Sequence, residues 1–256
     1  MSAAASLLAD RLTEAPVAPE GGQGEVQFAE FAAEADTSNA APDLARLLAR
    51  EPVRKLLTGV FESSPYLTSL IRRDPARLSR CLSGSPEAEC VRLKQVLDAE
   101  MGIAADAAPA KRALREYKNG IALLTALADT GGVWPAMTVT RILSDAADAA
   151  VSSAVRYLFR RANIGRQWQS PQPEAPELGS GFFVLAMGKH GAYELNYSSD
   201  IDLIVFFDRD RAHFSGPGDL QSFFVRMTRD LVALLEERTP DGYVFRTDLR
   251  LRPDAG

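Results

Sequence analysis

Length, composition and charge exclude several classes of protein. The chain has 256 residues, of which 46% are hydrophobic and 25% are charged, and its formal net charge is −5. This is the composition of a globular chain long enough to bury a sizeable core, and it excludes a disordered or fibrous protein. No apolar run approaches the length of a membrane span, and the arginines form no basic stripe. We therefore expect no membrane and no nucleic-acid partner.

The start of the chain and its two cysteines bear on the cellular compartment. The residues after Met1 include no basic segment before Asp10, so we expect no secretory signal. Cys81 and Cys90 have no metal-ligand companions close in sequence, and we predict that both are reduced and without a catalytic role. The expected location is the cytoplasm.

The first part of the chain is predicted to be helical. Residues 1–41 contain several prolines and glycines and one short helix near 26–35, and we predict a loosely ordered segment. Over 42–166, apolar residues recur at helical spacing, most clearly at 111–130 and 137–162, which predicts a helical lobe. The apolar stripe of 111–130 consists of Leu114, Tyr117, Ile121, Leu124, Leu127 and Ala128.

A change of composition separates this lobe from the rest of the chain. Residues 167–180 contain three prolines and a glycine, which is the composition of a linker. We place the domain boundary there, so that 181–256 forms a second domain. Within it, apolar spacing after Asp219 predicts a helix with Leu231 on its buried face, and 243–251 is predicted to be a strand.

Two apolar runs joined by a glycine turn form the most informative stretch. The run 182–187 precedes Gly188 and Lys189, and a second run begins at Asp200, which predicts strand, turn and strand. Because side chains alternate along a strand, Asp200 and Asp202 are expected on one face, where two carboxylates converge. The opposite, core-facing side is expected to carry Ile201, Leu203 and Val205.

Paired carboxylates at a strand end predict a metal site. Two ionised carboxylates repel each other unless a cation lies between them, and oxygen ligands suit Mg²⁺ or Mn²⁺. Gly188 lets backbone amides approach an anion, and Lys189 supplies positive charge for a phosphate. The alternative interpretation is an exposed strand end with two solvated acids. The order of these motifs favours phosphoryl or nucleotidyl transfer.

Arginines surround a third carboxylate near the end of the chain. In the predicted strand, Asp248 shares its face with Arg246 and Arg250, and Arg252 follows at the same parity. Guanidinium groups bind phosphates in a bidentate manner, so we predict phosphate binding beside the metal. The alternative is a ladder of salt bridges on an edge strand.

The two histidines are not expected to form a metal or catalytic site, because zinc chemistry requires more nitrogen and sulfur ligands. His213 lies in a polar loop and is predicted to be at the surface. His190 lies in the glycine turn and is predicted to face solvent, with a contact to a substrate phosphate as the alternative.

These motifs resemble those of a known superfamily. Gly188-Lys189 followed by Ser199-Asp200 and the rest of the second run resembles the nucleotidyltransferase superfamily that includes DNA polymerase beta. The longer string 187–203 is similar to glutamine synthetase adenylyltransferase, the bifunctional bacterial family that adds AMP to glutamine synthetase and removes it. Residues 245–253 match the second hallmark of that family. Shorter similarities occur upstream, at 64–67, 72–75 and 126–129.

The resemblance implies a fold and a site. The implied fold class is α+β, with a helical N-terminal lobe followed by a polymerase-beta-like nucleotidyltransferase core that has a small mixed sheet and is incomplete at its C-terminal end. The implied cofactor is Mg²⁺ or Mn²⁺. The implied catalytic and metal-binding residues are Asp200, Asp202 and Asp248. The implied nucleotide- and phosphate-binding residues are Gly188, Lys189, Ser199, Arg246, Arg250 and Arg252.

The form of the motif at 194–199 resembles the N-terminal, adenylyl-removing domain of the family. It implies attack of orthophosphate on the AMP of a modified glutamine synthetase tyrosine, with release of ADP. The implied partners are glutamine synthetase, a P-II-type nitrogen signalling protein, ATP or ADP, and orthophosphate. Two alternatives stay open: ATP-dependent adenylylation of glutamine synthetase, and a non-catalytic module that binds either protein. Because the family continues with a second catalytic domain, we expect a fragment whose own activity is open.

Overall fold

The computed structural model describes residues 6–37 and 43–249, and these residues form a helical array and one small sheet. The first helices are α1 (Leu8–Arg11), α2 (Gln23–Thr37), α3 (Leu44–Leu48), α4 (Glu51–Ser63), α5 (Pro65–Arg73) and α6 (Pro75–Ser83). Three longer helices follow: α7 (Pro86–Ile103), α8 (Ala107–Thr130) and α9 (Ala136–Ile164). The remaining elements are β1 (Phe182–Met187), α10 (Gly188–Gly191), β2 (Ile201–Phe207), a 3₁₀ turn (Arg209–Arg211), α11 (Leu220–Glu236) and β3 (Thr247–Leu249). The predicted α+β class is confirmed.

Contacts divide the chain into two compact units. The helical unit takes residues from Met1–Leu93 and Asn119–Val139, and the sheet unit takes Lys94–Lys118 and Thr140–Gly256. The segment boundaries predicted from the sequence stay predictions. None of the helices in the described ranges is both long enough and apolar enough to cross a membrane.

Prolines and capping side chains determine where the short helices of the helical unit begin. Pro65 and Pro75 occupy the first turns of α5 and α6, where a missing N–H costs nothing. The preceding residue, Ser64 or Asp74, accepts a hydrogen bond from the backbone N–H three residues later. These signals are local, so the sequence itself specifies the helix starts.

The core of the helical unit is built from the apolar faces of its helices. Leu8 and Phe31 from the first forty residues are buried, and Phe31 packs edge-to-face on Phe61 of α4 at 5.6 Å. Burial also raises the pKa of the Cys81 thiol to about 12, which opposes formation of a thiolate. All six residues of the predicted 111–130 stripe are buried, which confirms it; four of them belong to this unit, and Leu114 and Tyr117 belong to the sheet unit.

The sheet unit contains the three-stranded mixed sheet, in the order β1-β2-β3. β1 and β2 are antiparallel, with Met187 opposite Asp202, and β3 lies parallel to β2, with Asp248 opposite Asp202. A parallel pair needs a long crossover connection, and the chain between β2 and β3 contains α11. The small mixed sheet expected from the sequence is therefore present.

An aromatic cluster joins α11 to the sheet and to α9. Phe224 of α11 packs on Phe207 of β2 with ring centroids 4.8 Å apart, and Phe159 of α9 is fully buried in the same cluster. Trp168 is 1% exposed and stacks on Phe223 at 5.8 Å. The proline-containing segment 167–180 thus contributes a central side chain to this core.

The third strand is shorter at its start than the sequence predicted. The prediction began at residue 243, whereas β3 begins at Thr247. The backbone N–H groups of Val244 and Phe245 donate to the carbonyl of Leu235, at the end of α11, so they do not join the sheet. The predicted end of the strand at 251 lies outside the described residues.

A buried arginine closes the end of α11. Arg115 of α8 is 0% exposed and donates to the carbonyls of Leu234, Glu237 and Gly242. Burial lowers the pKa of its guanidinium, but four carbonyl acceptors, these three and that of Lys111, satisfy the donors of the charged form. These bonds hold the turn that leads into β3.

Leucine-to-alanine substitutions test the two cores. Leu124 of α8 and Leu231 of α11 are 0% and 1% exposed. We expect Leu124→Ala and Leu231→Ala each to lower the free energy of unfolding by about 2–5 kcal/mol, measured by urea denaturation, because each leaves a cavity. Val225→Ala, at an exposed position of α11, is the control, and losses no larger than in this control would contradict the assigned cores.

Candidate active site

The pairing of β2 with β3 places two carboxylates side by side. Asp202 and Asp248 are register partners on neighbouring parallel strands, so both lie on the same face of the sheet. The alternate residues of β2, Ile201 and Leu203, are 0% and 2% exposed on the other face. The predicted alternation is confirmed for Ile201 and Leu203, and it directs Asp202 away from the core. Val205, also predicted to face the core, is only partly buried, and Asp200 precedes the strand, which begins at Ile201.

Gly188 brings the turn after β1 against Asp202. Its φ is +55°, in the left-handed region that favours glycine, and a β-carbon at this position would overlap the Asp202 carboxylate. Lys189, the next residue, is exposed. The local backbone therefore requires a glycine where the turn meets the carboxylate pair.

Asp200 and Arg246 form an ion pair at the edge of this group. Arg246 Nε donates to Asp200 Oδ1 at 2.5 Å, and Nη2 donates to the carbonyl of Ser198 at 3.1 Å. The hydrogen bond to Asp200, and then its charge, raise the pKa of the Arg246 guanidinium. Both side chains are more than half exposed, so the pair orients these groups more than it stabilises the fold. Ser199 Oγ donates to Asn196 Oδ1 at 2.7 Å.

Two of the three predicted carboxylates fit a divalent cation. No group of three or more His, Cys, Asp or Glu side chains within the described ranges is arranged to hold a metal ion. Like charges directly opposite on neighbouring strands destabilise a sheet, and a cation between Asp202 and Asp248 would remove that repulsion. Carboxylate oxygens are the donors that Mg²⁺ and Mn²⁺ prefer, so these two residues fit such an ion.

The predicted site residues are thus brought together in part. The structure groups Gly188, Asp202 and Asp248 at one end of the sheet, and an ion pair joins Asp200 to Arg246 beside them. Lys189 and Ser199 lie in the connection between β1 and β2. The remaining two predicted residues, Arg250 and Arg252, lie outside the described residues.

The prediction that His190 faces solvent is wrong. The side chain is 3% exposed, and its Nε2 lies 2.8 Å from Asp148 Oδ1 on α9. The physical reason is that 188–191 form a helical turn, which directs this ring inward towards α9. His213 is exposed, as predicted, and contacts Trp168 edge-on.

Two residues of α9 that contact the connection between β1 and β2 were not identified from the sequence. Ser144 is 0% exposed and Asp148 pairs with His190. Both lie within the stretch 137–162, for which the apolar spacing predicts only a helix. The available signal was the spacing of the polar residues Arg141, Ser144 and Asp148, at i, i+3 and i+7 on one face of the helix.

A glycine substitution tests the contact between the turn and Asp202. Gly188→Ala adds a β-carbon both at a positive φ and against the carboxylate, whereas Gly179→Ala adds one at φ +70° with no atom within 4 Å. The positive φ alone costs about 1–2 kcal/mol. We expect a larger loss of unfolding free energy for Gly188→Ala than for Gly179→Ala in urea denaturation. Equal losses would show that the turn does not pack on Asp202.

Comparison with known proteins identifies the family. A family model described as glutamate-ammonia ligase adenylyltransferase matches residues 54–256. A bifunctional glutamine synthetase adenylyltransferase/adenylyl-removing enzyme of Bradyrhizobium diazoefficiens is 47% identical over 247 residues, which are 96% of this chain and 25% of that relative.

Two further relatives carry the same name. One from Rhodopseudomonas palustris strain TIE-1 is 52% identical over 201 residues, 77% of this chain and 20% of the relative. One from Xanthobacter autotrophicus is 43% identical over 250 residues, 97% of this chain and 25% of the relative. The chain thus spans about a quarter of the length of the relatives it matches most fully. Because the family model covers most of its residues, the chain belongs to the glutamate-ammonia ligase adenylyltransferase family, as its motifs indicated.

Proposed function

We propose that this chain carries out metal-dependent nucleotidyl transfer on glutamine synthetase, by phosphorolytic removal of AMP from an adenylylated tyrosine. The observation that carries the proposal is the register pairing of Asp202 with Asp248 beside the Gly188 turn. The names of the relatives support the substrate and the reaction class. The motif at 194–199 supports removal over addition, because it resembles the adenylyl-removing form.

Mg²⁺ or Mn²⁺ is the proposed cofactor, held by Asp202 and Asp248. When bound, the ion would supply Lewis-acid stabilisation of charge on the phosphates. Asp200 is the proposed third ligand, and it would have to move towards the other two, because the three are not grouped for coordination in the described residues. Arg246 is bonded to its Oδ1, and a carboxylate has a second oxygen that can face a cation.

The chain's own residues must hold two anions together. In the proposed reaction an orthophosphate oxygen forms a bond to the AMP phosphorus, and the bond from phosphorus to the tyrosyl oxygen breaks. The tyrosyl oxygen takes up a proton, and ADP is released. Lys189, Ser199 and Arg246, with the backbone at Gly188, are proposed to orient the anions and to offset their repulsion. Arg250 and Arg252 are proposed to add to this charge.

Two other functions are the alternatives. The relatives are named as bifunctional enzymes, so ATP-dependent adenylylation of glutamine synthetase is the second candidate. The third is a non-catalytic module that binds glutamine synthetase or a P-II-type nitrogen signalling protein. Cytoplasm is the proposed location in each case.

Metal binding is tested by thermal denaturation. An ion bound only by the folded state stabilises it, by about 2.7 kcal/mol at one hundred times its Kd. We expect Mg²⁺ or Mn²⁺ to raise the Tm of the wild type and of Asp230→Asn, which removes an exposed carboxylate on α11. Asp202→Asn and Asp248→Asn should lose this rise. A variant that combines Asp202→Asn with Asp248→Asn and still shows the full rise in Tm would rule out the metal site.

The reaction is tested by product analysis. The chain is incubated with adenylylated glutamine synthetase, Mg²⁺ and orthophosphate, and we expect ADP to form. Asp202→Asn should lower the rate of ADP formation by about 100-fold or more, because it removes the negative charge of one of the two carboxylates proposed to hold the metal ion. Asp230→Asn should retain the wild-type rate.

The other outcomes separate the alternatives. Free AMP would indicate hydrolysis rather than phosphorolysis. Labelling of unmodified glutamine synthetase from ATP would favour adenylylation. Binding of glutamine synthetase with no product in either direction would favour the non-catalytic module.

A further inference from the structure

The connection between β1 and β2 is held by one face of α9. We call residues 188–199 the site loop, because its first residue contacts Asp202 and its last precedes Asp200. Arg141, Ser144 and Asp148 are spaced at i, i+3 and i+7, so they lie on one face of the helix. Each of the three contacts a different residue of the site loop.

The first contact is a side-chain pair. His190 Nε2 lies 2.8 Å from Asp148 Oδ1, and the imidazole is 3% exposed whereas the carboxylate is 48% exposed. A hydrogen bond to a charged group in a partly buried position is worth more than an exposed one. His190 directly follows Lys189 in the chain, so its contact with Asp148 fixes the backbone that carries the lysine.

The second contact fixes the middle of the loop. The backbone N–H of Leu195 donates to Ser144 Oγ at 3.2 Å, and Ser144 Oγ in turn donates to the carbonyl of Thr140 at 2.9 Å. Leu195 is 1% exposed, so this N–H would be buried without a partner if the hydroxyl were removed.

The third contact lies between the other two. The Arg141 guanidinium lies over the Tyr193 ring, 4.9 Å from its centroid. Tyr193 has φ +60°, which is uncommon for a residue with a side chain, so the surrounding contacts maintain a strained backbone. The rest of the site loop, including Lys189 and Tyr197, is exposed, apart from Ser199, which is partly buried. His190 and Leu195 are therefore its buried anchors.

We infer that Asp148 and Ser144 are positioning residues for anion binding. They hold His190 and Leu195, and thereby fix the backbone that carries Lys189 next to Gly188, without contacting substrate themselves. The inference deepens the proposed function and rests on it, since orthophosphate is the anion that Lys189 would bind. Loss of either contact would let the exposed part of the loop move, and the first effect would be weaker orthophosphate binding.

The test compares variants with matched controls. Asp148→Ala and Ser144→Ala remove the two contacts, and Asp148→Asn keeps an acceptor for the histidine. Ser152→Ala, at an exposed position of α9, and Asp230→Ala, on α11, are the controls. Thermal denaturation establishes which variants fold. Because each variant removes the contact to a different buried anchor, either one alone tests the inference if the other does not fold.

Hydrogen exchange provides a measurement that does not depend on catalysis. We expect amide exchange in 189–196 to rise by about tenfold in Asp148→Ala and Ser144→Ala, and to stay unchanged in α11 and in both controls. Unchanged exchange in the site loop would overturn the inference, whatever the activity of the chain.

Steady-state kinetics separates positioning from a purely structural role. We expect the KM for orthophosphate to rise about tenfold in both variants, with kcat less affected and the KM for adenylylated glutamine synthetase unchanged. In Asp148→Asn, the KM for orthophosphate should return most of the way to the wild-type value. Wild-type protein that forms no ADP would overturn the proposed function. Active variants with an unchanged KM for orthophosphate would overturn only the positioning role.

Discussion

The parallel pairing of β3 with β2 is the constraint on which the site depends, because it alone sets Asp248 beside Asp202. Parallel neighbours cannot be joined by a tight turn, so the chain must cross over through α11. The aromatic cluster packs that helix on the sheet, and Arg115 closes its C-terminal end. The position of the Asp248 carboxylate therefore depends on the packing of the aromatic cluster and on the buried Arg115, which is remote from the site in sequence.

Local charge and backbone conformation at the site oppose stability. Two carboxylates occupy neighbouring positions in a sheet, and Gly188 adopts a conformation that other residues rarely adopt. Proteins retain such features where binding or catalysis needs them, and the surrounding structure compensates. Here the compensation lies on the opposite face of β2, where Ile201 and Leu203 are buried.

The parts of the fold and site that could be predicted from the sequence are those that local pattern determines. The stripe of α8, the burial of Leu231 and the burial of Ile201 and Leu203 on β2 follow from periodicity, and the structure confirms each of them. The start of β3 was predicted too early because its preceding N–H groups bond to the end of a helix. His190 was misplaced for a similar reason, since its partner Asp148 lies 42 residues away in the sequence. Trp168 lies in a segment with linker composition, yet it fills the core.

The alanines of α9 explain how one helix can serve both the core and the site. Small side chains such as Ala147 and Ala150, both 0% exposed, let neighbouring elements approach the helix closely. Close approach brings short polar side chains within reach of the site loop, and Ser144 is such a residue. Further along the same helix, Phe159 packs in the aromatic cluster beneath the sheet. Because an α-helix is stiff, the apolar contacts at one end and the polar contacts at the other hold the sheet and the loop in a fixed relation.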